Sequence, residues 1–122
     1  MSELVPRCKL WLESETGLVM SDYRLRLLAL IAETGSLAAA AAAMGLSYRR
    51  AWGKIKELEA NLGFPLVHSE VGGAGGGHTT LTHQGRQLVE AYSRFRSRVE
   101  AAVTTAFAEE LGSIARQHTP HT

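Results

Sequence analysis

The chain has 122 residues, 45% of them apolar and 20% charged, a composition that fits one small globular domain with a modest core. Its formal net charge of +1 does not by itself mark a nucleic-acid binder, so the position of the charges has to carry that question. Cys8 is the only cysteine, which excludes an intrachain disulfide and a cysteine-based zinc site and fits a reducing compartment. No apolar run approaches the ~20 residues of a membrane helix, and the first ten residues lack a signal-peptide core. A cytoplasmic protein without a membrane partner is expected.

Residues 8–13 alternate in part and read as a strand. Glu15, Thr16 and Gly17 form a turn signal, and residues 18–20 return as a second short strand. This hairpin is marginal alone and needs a surface to pack on. Ser21 is a suitable N-cap, with Asp22 in the first turn where the helix dipole favours a negative charge. Leu27, Leu28 and Ile31 give that helix its buried stripe, and Gly35 suits a left-handed C-cap.

Ser36 caps the next helix, which is built on alanine, the best helix former and the least bulky. Leu37, Ala40, Ala41 and Met44 share one face by the three-and-four rule. Gly45 permits a sharp turn, and Leu46 plugs the core beneath it. Ser47 caps a third helix. Tyr48, Ala51, Trp52, Ile55, Leu58 and Leu62 fall on one side of it. Arg49, Arg50, Gly53, Lys54, Lys56 and Glu57 fall on the other. Over residues 47–63 four cations stand against two acids, a local balance of +2. Gly53 costs the helix about 1 kcal/mol relative to alanine, which suggests a close approach there by a neighbouring element or a DNA backbone.

Gly63 ends the third helix. Residues 64–69 read as a strand, residues 71–78 as a glycine loop and residues 79–82 as the return strand: a wing. Thr82 caps a last helix. Its residues Leu88, Tyr92, Phe95, Val99, Val103, Phe107, Leu111 and Ile114 keep an apolar stripe with no later element to cover it. A second copy of the same helix is the expected partner. The expected organisation is a winged helix-turn-helix DNA-binding domain over residues 1–82 (hairpin 8–20, helix-turn-helix 36–62, wing 64–82). A dimerisation helix over 83–115 and a disordered tail over 116–122 follow. The fold class is α+β, mainly helical.

A helix-turn-helix needs a tight small-residue contact between two helices, so that the second can aim its first residues at base edges. Cap, alanine face, glycine turn, second cap and basic outer face occur here in that order. Arg49 and Arg50 suit bidentate contact with guanine or phosphate, and Lys54 suits phosphate. Ser36 and Ser47 offer hydroxyls and helix-terminal amides. Tyr48 divides between packing and a phosphate contact, while Trp52 reads as core. Gly75, Gly76, Gly77, His78 and Thr79 form the wing's DNA-facing set. The plain alternatives are solvated charges and ordinary caps. A phosphate loop is excluded because His78, not Lys, follows the last glycine. His68, His78 and His83 lie around the wing strands, but spacing alone does not make them converge, so no metal is expected. No catalytic set is evident, so no enzyme is expected.

Residues 35–37, the alanine helix, Ser47 and the run from Ile55 to Leu66 resemble the N-terminal domain of LysR-type regulators. ModE-type molybdate-responsive regulators are more similar still. Ser47-Tyr48 with Ala51-Trp52 resembles their recognition helix. The glycine run, Leu81-Thr82 and Gly85 resemble their wing and the entry to their dimer helix. The likeness spans about residues 8–111. It implies a homodimeric transcription factor on double-stranded DNA, acting in molybdenum- or oxyanion-related gene control. Its two recognition helices would meet sites about 34 Å apart on a near-palindrome. In that family molybdate sensing belongs to C-terminal oxyanion-binding domains. This chain ends at Thr122, after the expected dimer helix, so no cofactor and no direct molybdate site is expected. Two other readings are a dimerising modulator of a full-length regulator and a small oxyanion-binding protein.

Overall fold

The computed structural model describes residues 3–70 and 78–117. Strands β1 (Trp11–Ser14) and β2 (Gly17–Ser21) form an antiparallel hairpin, with Trp11 opposite Ser21 and an irregularity between Leu12 and Glu13. Helices α1 (Asp22–Thr34), α2 (Leu37–Ala43) and α3 (Tyr48–Leu62) follow. Strands β3 (Val67–Glu70) and β4 (His78–Leu81) pair antiparallel as the wing, and α4 runs from His83 to Gln117.

Local chemistry places these boundaries. Ser21, Ser36 and Ser47 each precede a helix in extended conformation, and each hydroxyl accepts from the amide three residues on, satisfying a donor the helix leaves open. Gly35 and Gly63 close α1 and α3 in the left-handed conformation. Thr82 Oγ1 accepts from Gly85 N at 2.9 Å, which makes it the cap of α4 as expected. Several boundaries differ from the sequence reading. The first strand begins at Trp11, so residues 8–10 lie outside it, and β2 extends to Ser21. The wing strands are shifted to 67–70 and 78–81, because Phe64 and Pro65 are spent on the turn out of α3. Arg116 and Gln117, expected in a tail, are helical.

The chain divides into two units: residues 10–93, and residues 1–9 with 94–122. The core of residues 10–93 joins Met20 from the hairpin, Leu27, Leu28 and Ile31 from α1, and Leu37, Ala40 and Ala41 from α2. Ala51, Ile55 and Leu58 from α3, Leu66, Val67 and Leu81 from the wing, and Tyr92 from α4 complete it. The alanine face of α2 is what lets α1 and α3 close on it, since a larger residue at Ala40 or Ala41 would hold them apart. Gly45 makes the turn at φ 68°, and Leu46 N returns to Ala41 O at 2.9 Å. In the other unit, Pro6, Arg7, Cys8 and Lys9 border an open cleft with Arg96, Glu100, Val103 and Thr104. No helix among the described residues is long and apolar enough to cross a membrane.

Candidate nucleic-acid interface

Helix α3 divides cleanly between core and surface. Ala51, Ile55 and Leu58 are fully buried, while Ser47, Arg49, Arg50 and Gly53 are exposed. Tyr48 is 57% exposed, so it lies with the outer face and not with the apolar one. Trp52 is half-buried against the core, and Lys56 Nζ sits 4.5 Å from its ring centroid. A methyl at Gly53 would meet nothing within 4 Å. The close approach that this glycine suggested is therefore not made by any described part of the chain.

The charges on α3 differ in how they are used. Glu57 is held from α1 by Arg24, 3.0 Å away. Lys56 pairs with Glu59 at 3.1 Å. Lys54 lies over the ring of Tyr23, 5.2 Å from its centroid, and is half-buried. Arg49 and Arg50 have no carboxylate partner among the described residues, and both stand in the first turn of the helix. Two guanidinium groups, a tyrosine and a serine-capped helix N-terminus thus share one open surface. That surface can take phosphates by charge and by free amides, and base edges by the arginine forks.

The wing is held at the last turn of α3 and at the turn between α1 and α2. Thr79 N donates to Gly35 O at 3.0 Å, fastening β4 to the turn between α1 and α2. Thr79 itself is 5% exposed, which corrects its assignment as a DNA contact. The register pairs Ser69 with Thr79 and Val67 with Leu81, so Thr79 points inward with Leu81. His78 and Thr80 lie on the outer face, with His68 and Glu70 opposite them. Gly75, Gly76 and Gly77 fall outside the described residues. No three acidic, histidine or cysteine side chains among the described residues are placed to hold a metal ion.

Tyr92 also moves. It is 2% exposed, and its hydroxyl lies 3.0 Å from Leu10 O and 3.2 Å from Asp22 Oδ1. Its ring belongs to its own core and is withdrawn from the expected dimer stripe. Leu88 packs partly against that core. Phe95, Leu111 and Ile114 are 42%, 45% and 53% exposed, and Val99, Val103 and Phe107 are half-buried. Their apolar surface is what a second helix would cover.

Some organising residues carry no sequence signal. Glu59 Oε2 accepts from Leu66 N at 2.7 Å and Val67 N at 3.2 Å, and Asn61 Nδ2 donates to Leu18 O at 2.8 Å. Both contacts join segments that meet only in the folded chain, so neither pairing is read from its own segment.

Comparison with known proteins sharpens this picture. A family model, Bacterial regulatory helix-turn-helix protein, lysR family, matches residues 23–86. The chain is 38% identical over 96 residues to the molybdenum-pterin-binding protein MopB of Rhodobacter capsulatus, covering 79% of this chain and 35% of MopB. It is 37% identical over 92 residues to the molybdenum transport protein ModE of Azotobacter vinelandii, 75% and 34% of the two chains. Against the DNA-binding transcriptional dual regulator ModE of Escherichia coli it is 36% identical over 83 residues, 68% and 32%. The chain thus spans about a third of the length of these relatives. In fold it is similar to the CbnR_DBD-DNA complex, with TM-score 0.58 and 24% identity over 74% of this chain and 98% of that one. Full-length CbnR complexed with its target DNA has TM-score 0.58 and 25% identity, over 73% and 29%.

Proposed function

We infer that this chain, which belongs to the lysR family of bacterial regulatory helix-turn-helix proteins, binds double-stranded DNA sequence-specifically as a homodimer and regulates transcription. The observation that carries this is the outer face of α3: Arg49 and Arg50 are exposed and unpaired among the described residues, in the helix's first turn. Arginine forks there would read guanine in the major groove. Lys54, and the amides at the starts of α2 and α3, would hold flanking phosphates and fix the register. The outer face of the wing, with His78 and Thr80, would track the adjacent backbone. Such a protein works where the DNA is, in the bacterial cytoplasm, and the family's business is regulation, not catalysis.

The exposed and half-buried apolar residues of α4 support the dimer. Phe95, Val99, Val103, Phe107 and Leu111 would pair across a two-fold and set the two recognition helices one turn of DNA apart. The names of the relatives support the biological setting: we extend to this chain the control of genes for molybdenum or a related oxyanion. DNA binding by this surface would need no bound cofactor.

Fluorescence anisotropy on duplexes tiled across the protein's own promoter region tests the reading. One tile is expected to bind on the order of a thousandfold more tightly than a scrambled duplex. Equal affinity for all tiles would refute sequence-specific binding. The same exposed α4 surface supports a second reading, in which the chain pairs with a full-length regulator and modulates it. Strong retardation of DNA by the purified homodimer counts against that alternative.

A further inference from the structure

Glu59 occupies the last turn of α3, where the helix dipole favours a cation and disfavours a carboxylate. Its presence there is explained by the next element, not by the helix. The side chain is 11% exposed and both of its oxygens are engaged. Oε1 takes the ammonium of Lys56 at 3.1 Å. Oε2 accepts from the amides of Leu66, at 2.7 Å, and Val67, at 3.2 Å. These amides lead into and open β3. The bonds are charge-assisted and sit in a nearly dry site, where such bonds are strongest. The other wing strand is tied elsewhere, through Thr79 N and Gly35 O. Arg86 Nη1 of α4 also donates to Leu81 O of β4, at 3.0 Å. Among the described residues, the wing's hydrogen-bonded anchor on the recognition helix is therefore a single carboxylate.

We propose that Glu59 is a positioning residue that fixes the wing relative to α3, and so sets the spacing between the major-groove contact and the wing's backbone contact on DNA. This rests on the DNA-binding reading above. It also assigns Lys56 a fixed place on the outer face of α3, held between Glu59 and the ring of Trp52. Removing the carboxylate would release the wing's first strand and Lys56 together, leaving Arg49 and Arg50 where they are.

The test compares Glu59→Ala, Glu59→Gln and Glu59→Asp. Glutamine keeps an acceptor oxygen at the same reach; aspartate keeps the charge but withdraws it by a methylene. Amide hydrogen exchange on the free protein reads the anchor without any DNA. The amides of Leu66 and Val67 are expected to exchange about tenfold faster or more in the alanine and aspartate variants, with glutamine, which keeps the acceptor without the charge, between these and wild type. Hydroxyl-radical footprints on the bound tile read the consequence. The alanine variant is expected to keep protection at the recognition helix and lose it on the wing side, with affinity down about tenfold, and glutamine is expected to restore both in part. If the alanine variant does not fold, the aspartate–glutamine contrast decides, and equal behaviour of those two overturns the proposal. Unchanged exchange at Leu66 and Val67, or faster exchange with an intact wing-side footprint, also overturns it. A wild-type protein with no footprint would refute the DNA reading and the wing's part in it, while the exchange data still decide the anchor.

Discussion

Gly85 gives the sharpest test of how the wing is joined to α4. A Cβ built there lies 2.2 Å from Leu66 O, 3.1 Å from Leu66 C and 3.2 Å from Thr82 Oγ1. The first of these is far inside any contact distance, and the atom it meets is backbone. Leu66 has little freedom to retreat. Its side chain is fully buried, its amide is held by Glu59 at 2.7 Å, and its carbonyl accepts from Thr82 N at 2.9 Å. Replacing Gly85 by alanine therefore forces either the wing base or the first turn of α4 to move. Overpacking of this kind costs about 1–3 kcal/mol, and more where the neighbour is pinned. Alanine returns at most about 1 kcal/mol through its better helix propensity. The net expectation is a loss of about 2 kcal/mol or more, which for a domain of this size lowers Tm by roughly 10 °C. Thermal and urea unfolding at one fixed protein concentration measure it, since a dimer makes Tm depend on concentration. An unchanged or raised Tm for Gly85→Ala would refute the close approach and the argument built on it.

Three further outcomes are expected. Gly53→Ala fills open space on an exposed helical face and should stabilise the protein by about 1 kcal/mol; if a DNA backbone approaches there, the same variant binds its duplex more weakly, and unchanged binding would remove that contact. Ser47→Ala removes the acceptor for Arg50 N, 3.1 Å away, and should cost about 1 kcal/mol in urea unfolding; no loss would mean the cap contributes nothing. Phe95→Glu combined with Leu111→Glu places charge in the proposed two-fold contact, and sedimentation equilibrium should show a wild-type dimer becoming monomer while the circular dichroism of the rest is kept. A monomeric wild type would refute the pairing of α4.

The helix-turn-helix was legible because its signals are local. Each cap serine has its partner amide three residues away, and Gly35 and Gly63 stop their helices by their own backbone freedom. The alanine face of α2 follows from periodicity alone. Thr79 shares a strand face with Leu81, two residues on, and the structure buries both. Tyr92 was not separable in this way. The stripe on α4 is continuous at steps of three and four, and nothing in its spacing tells which turns meet their own core. Glu59 and Asn61 are read only once the chain has reversed, because their partners Leu66 and Leu18 come from separate elements. The division of charge on α3 needed the fold as well. Lys56 and Glu57 look like free outer-face charges in the sequence, yet each is held, one by Glu59 and one by Arg24. That leaves Arg49 and Arg50 as the open pair.

The central claim is that this pair reads DNA, and the affinity of an Arg49→Ala, Arg50→Ala double variant for the protein's own promoter duplex, followed across a salt series, tests it most directly. Neither residue supports the core, so the variant should fold and dimerise as the wild type does. Its specific affinity should fall on the order of a hundredfold, its preference over scrambled DNA should collapse, and the slope of log affinity against log salt should shrink by about one for each phosphate that is no longer neutralised. A double variant that kept wild-type affinity, specificity and salt slope would contradict the assignment of α3 as the recognition helix.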